Sequence, residues 1–160
     1  MAAARGQWEP EPPFGVRQLT IEDGLDLAMA PQPAAWQVYD ALQPFPPDEG
    51  YWAVADARGR LLGYCCLGEA ARVAGAEASP AILDVAIGIR PDLAGRGWAG
   101  QLGRAAVGYA KSVAGGRRLR TMVADWNAGG LRAAGQSGFI PAGEVSFDRQ
   151  RYLVLEQPAG

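Results

Sequence analysis

The stretch from Ile82 to Gly100 constrains this chain most, because an apolar run, a glycine-rich turn and a helical pattern follow one another within it. Residues 82–89 are almost continuously apolar, which is typical of a strand covered on both faces. Gly95, Gly97 and Gly100 cluster where the helical pattern begins. Glycines at such a junction let backbone N–H groups approach a ligand, and the helix directs its partly positive end to the same place. We therefore expect a phosphate-binding turn.

One interpretation of this turn is a dinucleotide site. Residues 95–100 read G-x-G-x-x-G, with Asp125 as a ribose ligand, as in a nicotinamide-dependent oxidoreductase. However, five residues separate Ile89 from Gly95, whereas a dinucleotide site turns almost directly from its strand. The segments before the motif look like adjacent strands, and about 60 residues after it are too few for a doubly wound sheet. The pattern disfavours this interpretation.

The same turn resembles the pyrophosphate loop of the GNAT superfamily of N-acetyltransferases, whose pattern is Gln/Arg-x-x-Gly-x-Gly/Ala. That pattern falls on Ala94, Gly95, Arg96, Gly97, Trp98 and Ala99. The preceding Ile89-Arg90-Pro91 stands where the family has Val-x-Pro. The family's Asn-x-x-Ala…Gly-Phe segment is matched by Asn127, Gly130, Gly138 and Phe139. The resemblance spans residues 82–139, and Ala94 departs from the family's usual Arg or Gln.

The resemblance implies a mixed α/β (α+β) fold, with a mostly antiparallel sheet splayed at the cofactor strand and flanked by helices. From the residue patterns, strands are predicted over 16–20, 51–56, 60–67, 82–89, 120–125, 139–147 and 150–155. Helices are predicted from Ile21, with Thr20 as its cap, and over 34–42, 98–114 and 128–136. Residues 1–13 contain three prolines among polar neighbours and are expected to form a flexible tail, including an uninvolved Trp8. Residues 14–160 are expected to form a single GNAT-like acetyltransferase domain.

Composition narrows the function further. The 160 residues carry a net charge of −2, which offers no basic surface for nucleic acid, and Arg117, Arg118 and Arg120 are interpreted as a solvated turn. No apolar run reaches the roughly 20 residues that cross a bilayer, and no signal peptide is evident, so a cytoplasmic protein without a membrane partner is expected. The sequence contains no histidine, which excludes imidazole catalysis, and no metal is expected. The adjacent Cys65 and Cys66 are interpreted as core residues that point to opposite faces of a strand.

The resemblance also implies where acetyl-CoA, as co-substrate, would bind. Residues 94–99 would hold the pyrophosphate through backbone amides. The pantetheine arm would pair with the edge formed by Ile87, Gly88 and Ile89, and the Ile89 amide would hold the tetrahedral oxyanion. Gly88 is expected to mark a bulge or a close approach of the ligand. Asn127 would contact the cofactor or cap the following helix, and both roles stay open.

Without histidine, the base that deprotonates the acceptor must be a carboxylate acting directly or through water. Asp84 is the first candidate because it lies inside the apolar run of the cofactor strand, although hydrogen bonding at a strand end would also explain it. Glu69, at the end of the preceding strand, is the second. The leaving thiolate needs a proton, but position 134, where the family often has tyrosine, is alanine. Unaided departure of the thiolate, water, or one of four side chains remains: Ser137, Tyr39, Tyr51 and Tyr64.

The sequence thus predicts an N-acetyltransferase that passes an acetyl group from acetyl-CoA to a primary amine by direct attack. The acceptor would be a small molecule or a peptide, and the aromatic residues proposed to line its pocket, with core packing as the alternative, are Trp36, Tyr39, Tyr51 and Trp52. Ala134 motivates a second hypothesis, a non-catalytic acyl-CoA-binding sensor or assembly module of the same fold. Family members often pair, so the resemblance is compatible with a homodimer.

Overall fold

The computed structural model describes residues 8–29 and 50–158. The predicted helix over 34–42, with Trp36 and Tyr39, lies outside these ranges. The described strands are β1 (Gly15–Gln18), β2 (Tyr51–Ala55), β3 (Leu61–Leu67), β4 (Ile82–Ile89), β5 (Arg118–Ala124), β6 (Ile140–Phe147) and β7 (Gln150–Gln157). The described α-helices are α1 (Ile21–Met29), α2 (Ala99–Val113) and α3 (Ala128–Gln136).

The strands form one sheet in the order β1-β2-β3-β4-β5-β7-β6. Only β4 and β5 run parallel among the described neighbours, and the other pairs are antiparallel. The predicted mixed fold is therefore confirmed. A dinucleotide-binding domain would instead require a doubly wound parallel sheet.

The start of α1 shows how local sequence fixes an element. The Thr20 hydroxyl accepts a bond from the Asp23 N–H at 3.0 Å, and the Asp23 carboxylate accepts one from the Thr20 N–H at 2.9 Å. This reciprocal capping satisfies two backbone donors that a helix end leaves free. The predicted cap at Thr20 is confirmed.

The two faces of the sheet are packed differently. On one face α2 covers a core cluster formed by Val54, Leu62, Cys65, Leu93, Leu102 and Ala106. Cys66 points to the opposite face and packs with Ala71 and Ala86. Both cysteines are free and buried, as predicted, and burial raises the pKa of each thiol to about 12. Neither thiol is ionised at neutral pH, so neither is an activated nucleophile.

The segment before β1 is not a loose tail in the described residues. The Glu11 carbonyl accepts a bond from the Ala57 N–H at 2.7 Å, and the Glu11 N–H donates to Asp56 at 3.0 Å. Arg60 donates to the Glu9 carbonyl at 2.9 Å and lies 4.6 Å from the centre of the Trp8 ring. The prediction of a flexible tail is therefore wrong for residues 8–13, because these bonds tie the segment to the β2–β3 turn.

Two further findings concern the described residues as a set. None of their helices combines the length and the apolar character needed to cross a membrane. They also contain no group of three or more carboxylate, thiol or imidazole side chains placed to bind a metal ion.

Candidate active site

Strands β4 and β5 form a gap in the middle of the sheet. They pair only through Ile82, Leu83 and Asp84, which face residues 118–120 of β5. Beyond that point β4 continues to Ile89 and β5 to Ala124 without pairing to each other. There β4 stays paired with β3 and β5 with β7. The predicted splay at the cofactor strand is present, and we call this opening the β4–β5 gap.

The exposed edge of β4 carries main-chain groups that point into the gap. The Arg90 N–H donates to the Leu62 carbonyl at 2.9 Å, so this rung bonds toward β3. In an antiparallel pair, every second residue bonds to the partner and the residues between them point the other way. The main-chain groups of Ile87 and Ile89 therefore face the gap, where an extended ligand could pair with them as an added strand.

The turn after β4 exposes backbone amides. A single helical turn, Pro91–Leu93, leads to Gly95 at φ +76° and Gly97 at φ +87°, which glycine adopts without strain. A side chain on either glycine would meet no atom within 4 Å, so the surface of the turn is open. Among the described residues, no main-chain carbonyl accepts a bond from the N–H groups of Gly95, Gly97 or Trp98. Backbone donors beside the N-terminus of a helix are suited to binding an anion.

A comparison with models of known protein families identifies the family of this chain. The family model described as Acetyltransferase (GNAT) family matches residues 18–139, which is more than half of the chain. The chain belongs to the GNAT acetyltransferase family. It is accordingly an acyltransferase by family, and the resemblance found in the turn at residues 94–99 is confirmed. No curated protein matches the sequence.

Solved structures share the fold at low sequence identity. AAC(6')-Ib in complex with paromomycin and acetyl-CoA has a TM-score of 0.71 at 16% identity, covering 92% of this chain and 94% of that one. A spermidine N-acetyltransferase SpeG chimera from Vibrio cholerae and hSSAT has a TM-score of 0.67 at 19% identity, covering 92% and 96%. A GNAT-family acetyltransferase from Bacillus anthracis has a TM-score of 0.69 at 10% identity, covering 93% and 96%. At these identities the likeness shows the fold.

The segment before β1 contacts the loop at residues 94–99. Arg96 donates to the Trp8 carbonyl at 2.9 Å and to the Glu9 carboxylate at 3.0 Å. The Trp98 ring packs against Phe14 with 5.9 Å between ring centres. The Trp8 backbone therefore holds a side chain of the loop, while the expectation that Trp8 does not line the acceptor pocket stays a prediction.

The apex of the gap is closed by a buried ion cluster of Asp84, Arg72 and Arg120. The Asp84 residue is 2% exposed, and its Oδ1 accepts a bond from Arg120 Nε at 2.6 Å. Its Oδ2 accepts from Arg72 Nε at 2.9 Å and from Arg120 Nη2 at 3.0 Å. Arg120 also faces Asp84 directly in the last paired rung of the two strands.

This cluster corrects two predictions. Both oxygens of Asp84 are bonded to arginine, so the structural role, not that of the general base, is the one this geometry supports. Arg120 does not lie in a solvated turn, because it belongs to β5 and its side chain is 11% exposed. An aspartate inside an apolar run requires a cationic partner, since a lone buried charge is costly. That requirement is the sequence signal for such a cluster, although it does not identify the arginine.

The packing of Tyr64 explains why residue 88 is a glycine. A side chain there would overlap the Tyr64 ring, with Cζ at 2.6 Å and Cδ1 at 3.0 Å from the added carbon. The Tyr64 ring therefore lies across β4, directly over Gly88, and Tyr51 contacts it with 6.3 Å between ring centres. The expected bulge at Gly88 is absent, because β3 and β4 pair in a regular register through this residue. The close approach of a ligand at Gly88 stays a prediction.

The remaining predicted residues have these positions. Asn127 caps α3, since its Oδ1 accepts a bond from the Gly130 N–H at 2.9 Å. Ala134 packs against the core cluster beneath α2, and the buried Ser137 hydroxyl donates to the Ala133 carbonyl at 2.8 Å.

Glu69 is exposed in the helical turn Gly68–Ala71 that packs against β4. The Trp52 ring packs against Tyr109 on the α2 face of the sheet.

Proposed function

We propose that this GNAT protein transfers an acetyl group from acetyl-CoA to a primary amine of a small molecule or peptide by direct attack. The observation that carries the proposal is the β4–β5 gap, which presents unpaired main chain next to an open loop of amide donors. An acyl-CoA carries a diphosphate and a peptide-like arm, and these two features complement the loop and the strand edge. Similar structures include AAC(6')-Ib with acetyl-CoA and a spermidine N-acetyltransferase, which supports an amine acceptor.

Each part of acetyl-CoA has a proposed location. Residues 94–99 hold the pyrophosphate through backbone amides, and the pantetheine arm pairs with Ile87–Ile89. The Ile89 N–H stabilises the oxyanion of the tetrahedral intermediate, because its direction into the gap suits a preformed donor. Contact between Asn127 and the cofactor belongs to the same proposal. Arg96 adds positive charge to the loop, although its side chain also engages Glu9.

The acceptor requires a base. A lysine-like amine has a pKa of about 10.4 and arrives mainly as the cation at neutral pH. Because both oxygens of Asp84 are bonded to arginine, we assign proton removal to Glu69, directly or through water. Glu69 lies three residues before Arg72, and its carbonyl accepts the Arg72 N–H at 3.1 Å, so it is adjacent to the apex of the gap.

The amine nitrogen then bonds to the acetyl carbon, the carbon–sulfur bond breaks, and coenzyme A leaves. No acetyl-enzyme is expected, since burial raises the pKa of Cys65 and of Cys66 to about 12. The kinetics should therefore be sequential.

The test combines calorimetry with acetyl-CoA and a thiol-release assay over a panel of primary amines. Binding together with amine-dependent release supports the proposal. Binding without release from any amine favours the non-catalytic acyl-CoA module instead. Absence of binding contradicts both.

Glu69→Gln tests the base assignment. Loss of a general base should lower kcat about 100-fold while acetyl-CoA binding is unchanged. Glu77→Gln, another exposed glutamate on the same connection, is the matched control and should keep wild-type rates. A Glu69→Gln protein as fast as wild type would remove Glu69 from the mechanism.

A further inference from the structure

We propose that Tyr64 is the residue that protonates the departing thiolate, and this inference rests on the acetyl transfer proposed above. The family's usual tyrosine is replaced by Ala134, so any side chain that protonates the thiolate must lie elsewhere. Tyr64 lies on β3, the strand paired to β4, and its ring extends over the cofactor strand.

The packing around Gly88 places the phenol end of Tyr64 at the edge of the gap. The side chain starts on β3 opposite Gly88, and its Cε1 lies closer to the position of a Gly88 side chain than Cδ1 does. Cζ, which bears the hydroxyl, lies 2.6 Å from that position. The outer part of the ring, which bears the hydroxyl, thus lies over Gly88 of β4, the strand that borders the gap. Gly88 leaves room for this ring, since any side chain would displace it.

The other candidate proton donors are less well placed to reach the departing sulfur. The Ser137 hydroxyl donates to the Ala133 carbonyl within α3. Ala134 has no proton to give. Tyr51 lies on β2, one strand farther from the gap, and its ring packs against Tyr64 and against the cluster that contains Ala86 of β4. Tyr39 lies outside the described residues. Of these candidates, Tyr64 is the one whose ring lies directly over Gly88, between Ile87 and Ile89.

The chemistry balances without a further reactant. As the carbon–sulfur bond breaks, its electron pair stays on sulfur, and the Tyr64 hydroxyl gives its proton to that sulfur. The acceptor ammonium loses one proton to the base before attack, and its nitrogen loses a second proton to water as the intermediate collapses. The base releases its proton to solvent and the phenolate regains one from solvent, so one proton is released overall. The products are the acetylated amine and coenzyme A as the thiol.

Tyr64→Phe tests the role, since it removes the hydroxyl and keeps the ring over Gly88. General acid catalysis is typically worth about 100-fold or more, so kcat should fall by about that factor while the KM for acetyl-CoA stays within about two-fold. The solvent deuterium isotope effect on kcat should also change. Tyr109→Phe is the control, because Tyr109 is a half-buried tyrosine that packs on Trp52 at the α2 face.

A conservative replacement separates chemistry from packing. Incorporation of 3-fluorotyrosine at position 64 keeps both ring and hydroxyl, so kcat should return to within about three-fold of wild type. If Tyr64→Phe matches wild type in kcat, the inference is overturned while the proposed transfer stands. If wild-type protein releases no thiol with any amine, the proposed transfer itself is contradicted.

Discussion

The two halves of β4 differ in what faces them. Over Ile82–Asp84 the strand is paired with β5, and the ion cluster of Asp84, Arg72 and Arg120 closes the last rung. Over Val85–Ile89 it is paired with β3 alone. The first half is closed by charge and by hydrogen bonds, whereas the second half leaves its edge toward β5 unpaired. One strand thus combines a closed and an open segment, and Asp84 marks the boundary.

The largest expected effect concerns the closed half. Asp84→Ala would leave Arg72 and Arg120 side by side without their carboxylate. Removing one partner of a buried ion pair typically costs about 3–5 kcal/mol, and we expect a loss of that size in the free energy of unfolding. Urea denaturation measures it. Asp125→Asn, at an exposed aspartate that follows β5, should change stability by less than about 0.5 kcal/mol. Equal stabilities for both variants would show that the cluster does not hold the strands together.

The next prediction concerns Asp56, which accepts a bond from Glu11 and so anchors the N-terminal segment that holds Arg96 of the loop. Burial acts to raise the pKa of Asp56, but bonds from the Arg60 side chain and from the N–H groups of Glu11, Arg60 and Arg58 outweigh it and hold the pKa below its usual value. A carboxyl with a lowered folded-state pKa stabilises the protein above its unfolded pKa, and this contribution is lost as pH falls through the folded value.

Asp56→Asn should therefore cost about 2–3 kcal/mol of unfolding free energy near neutral pH. The difference from wild type should be constant above about pH 5 and shrink below about pH 4, since an unfolded aspartate titrates near 3.9. Denaturation curves across that range measure it. A difference that grows as the solution is acidified would contradict the assigned direction.

The smallest effect concerns the ligand end of the open half. Gly97→Val places a β-branched residue at φ +87°, where it is strained, so the loop must change shape. Such strain costs about 1–3 kcal/mol. Because the relaxed loop must return to its original shape to bind, acetyl-CoA binding measured by calorimetry should weaken about 5- to 150-fold. Gly108→Ala is the control within the helix that follows. A side chain there meets no atom within 4 Å, so helix propensity should stabilise the fold slightly with no change in binding. Equal binding by both variants would remove the loop from the site.

Local patterns predicted the elements well. The predicted strand over 82–89 and helix over 128–136 agree with β4 and α3, because an apolar run and an Asn cap are both local signals. The glycine-rich loop was predicted for the same reason, since its residues are contiguous. Its backbone is what a phosphate would contact, and backbone follows from short-range sequence.

Contacts between distant segments were not predictable. Asp84 and Arg120 are 36 residues apart and meet only because the parallel register of β4 and β5 aligns them. Tyr64 reaches Gly88 through the antiparallel register of β3 and β4, and Arg96 reaches Trp8 across 88 residues. The register of the strands and the course of the N-terminal segment depend on the packing of the whole sheet. These pairs could therefore not be predicted from local sequence patterns.

Amide hydrogen exchange, followed residue by residue with and without acetyl-CoA, tests the central claim most directly. The main-chain groups of Ile87 and Ile89 face the β4–β5 gap, while the Arg90 N–H is already bonded to β3. Acetyl-CoA should therefore slow exchange at Ile87 or Ile89, or at both, and leave Arg90 unchanged. Protection confined to residues outside β4 and the loop at 94–99, with no change at Ile87 or Ile89, would contradict the assignment of the gap as the acyl-CoA site.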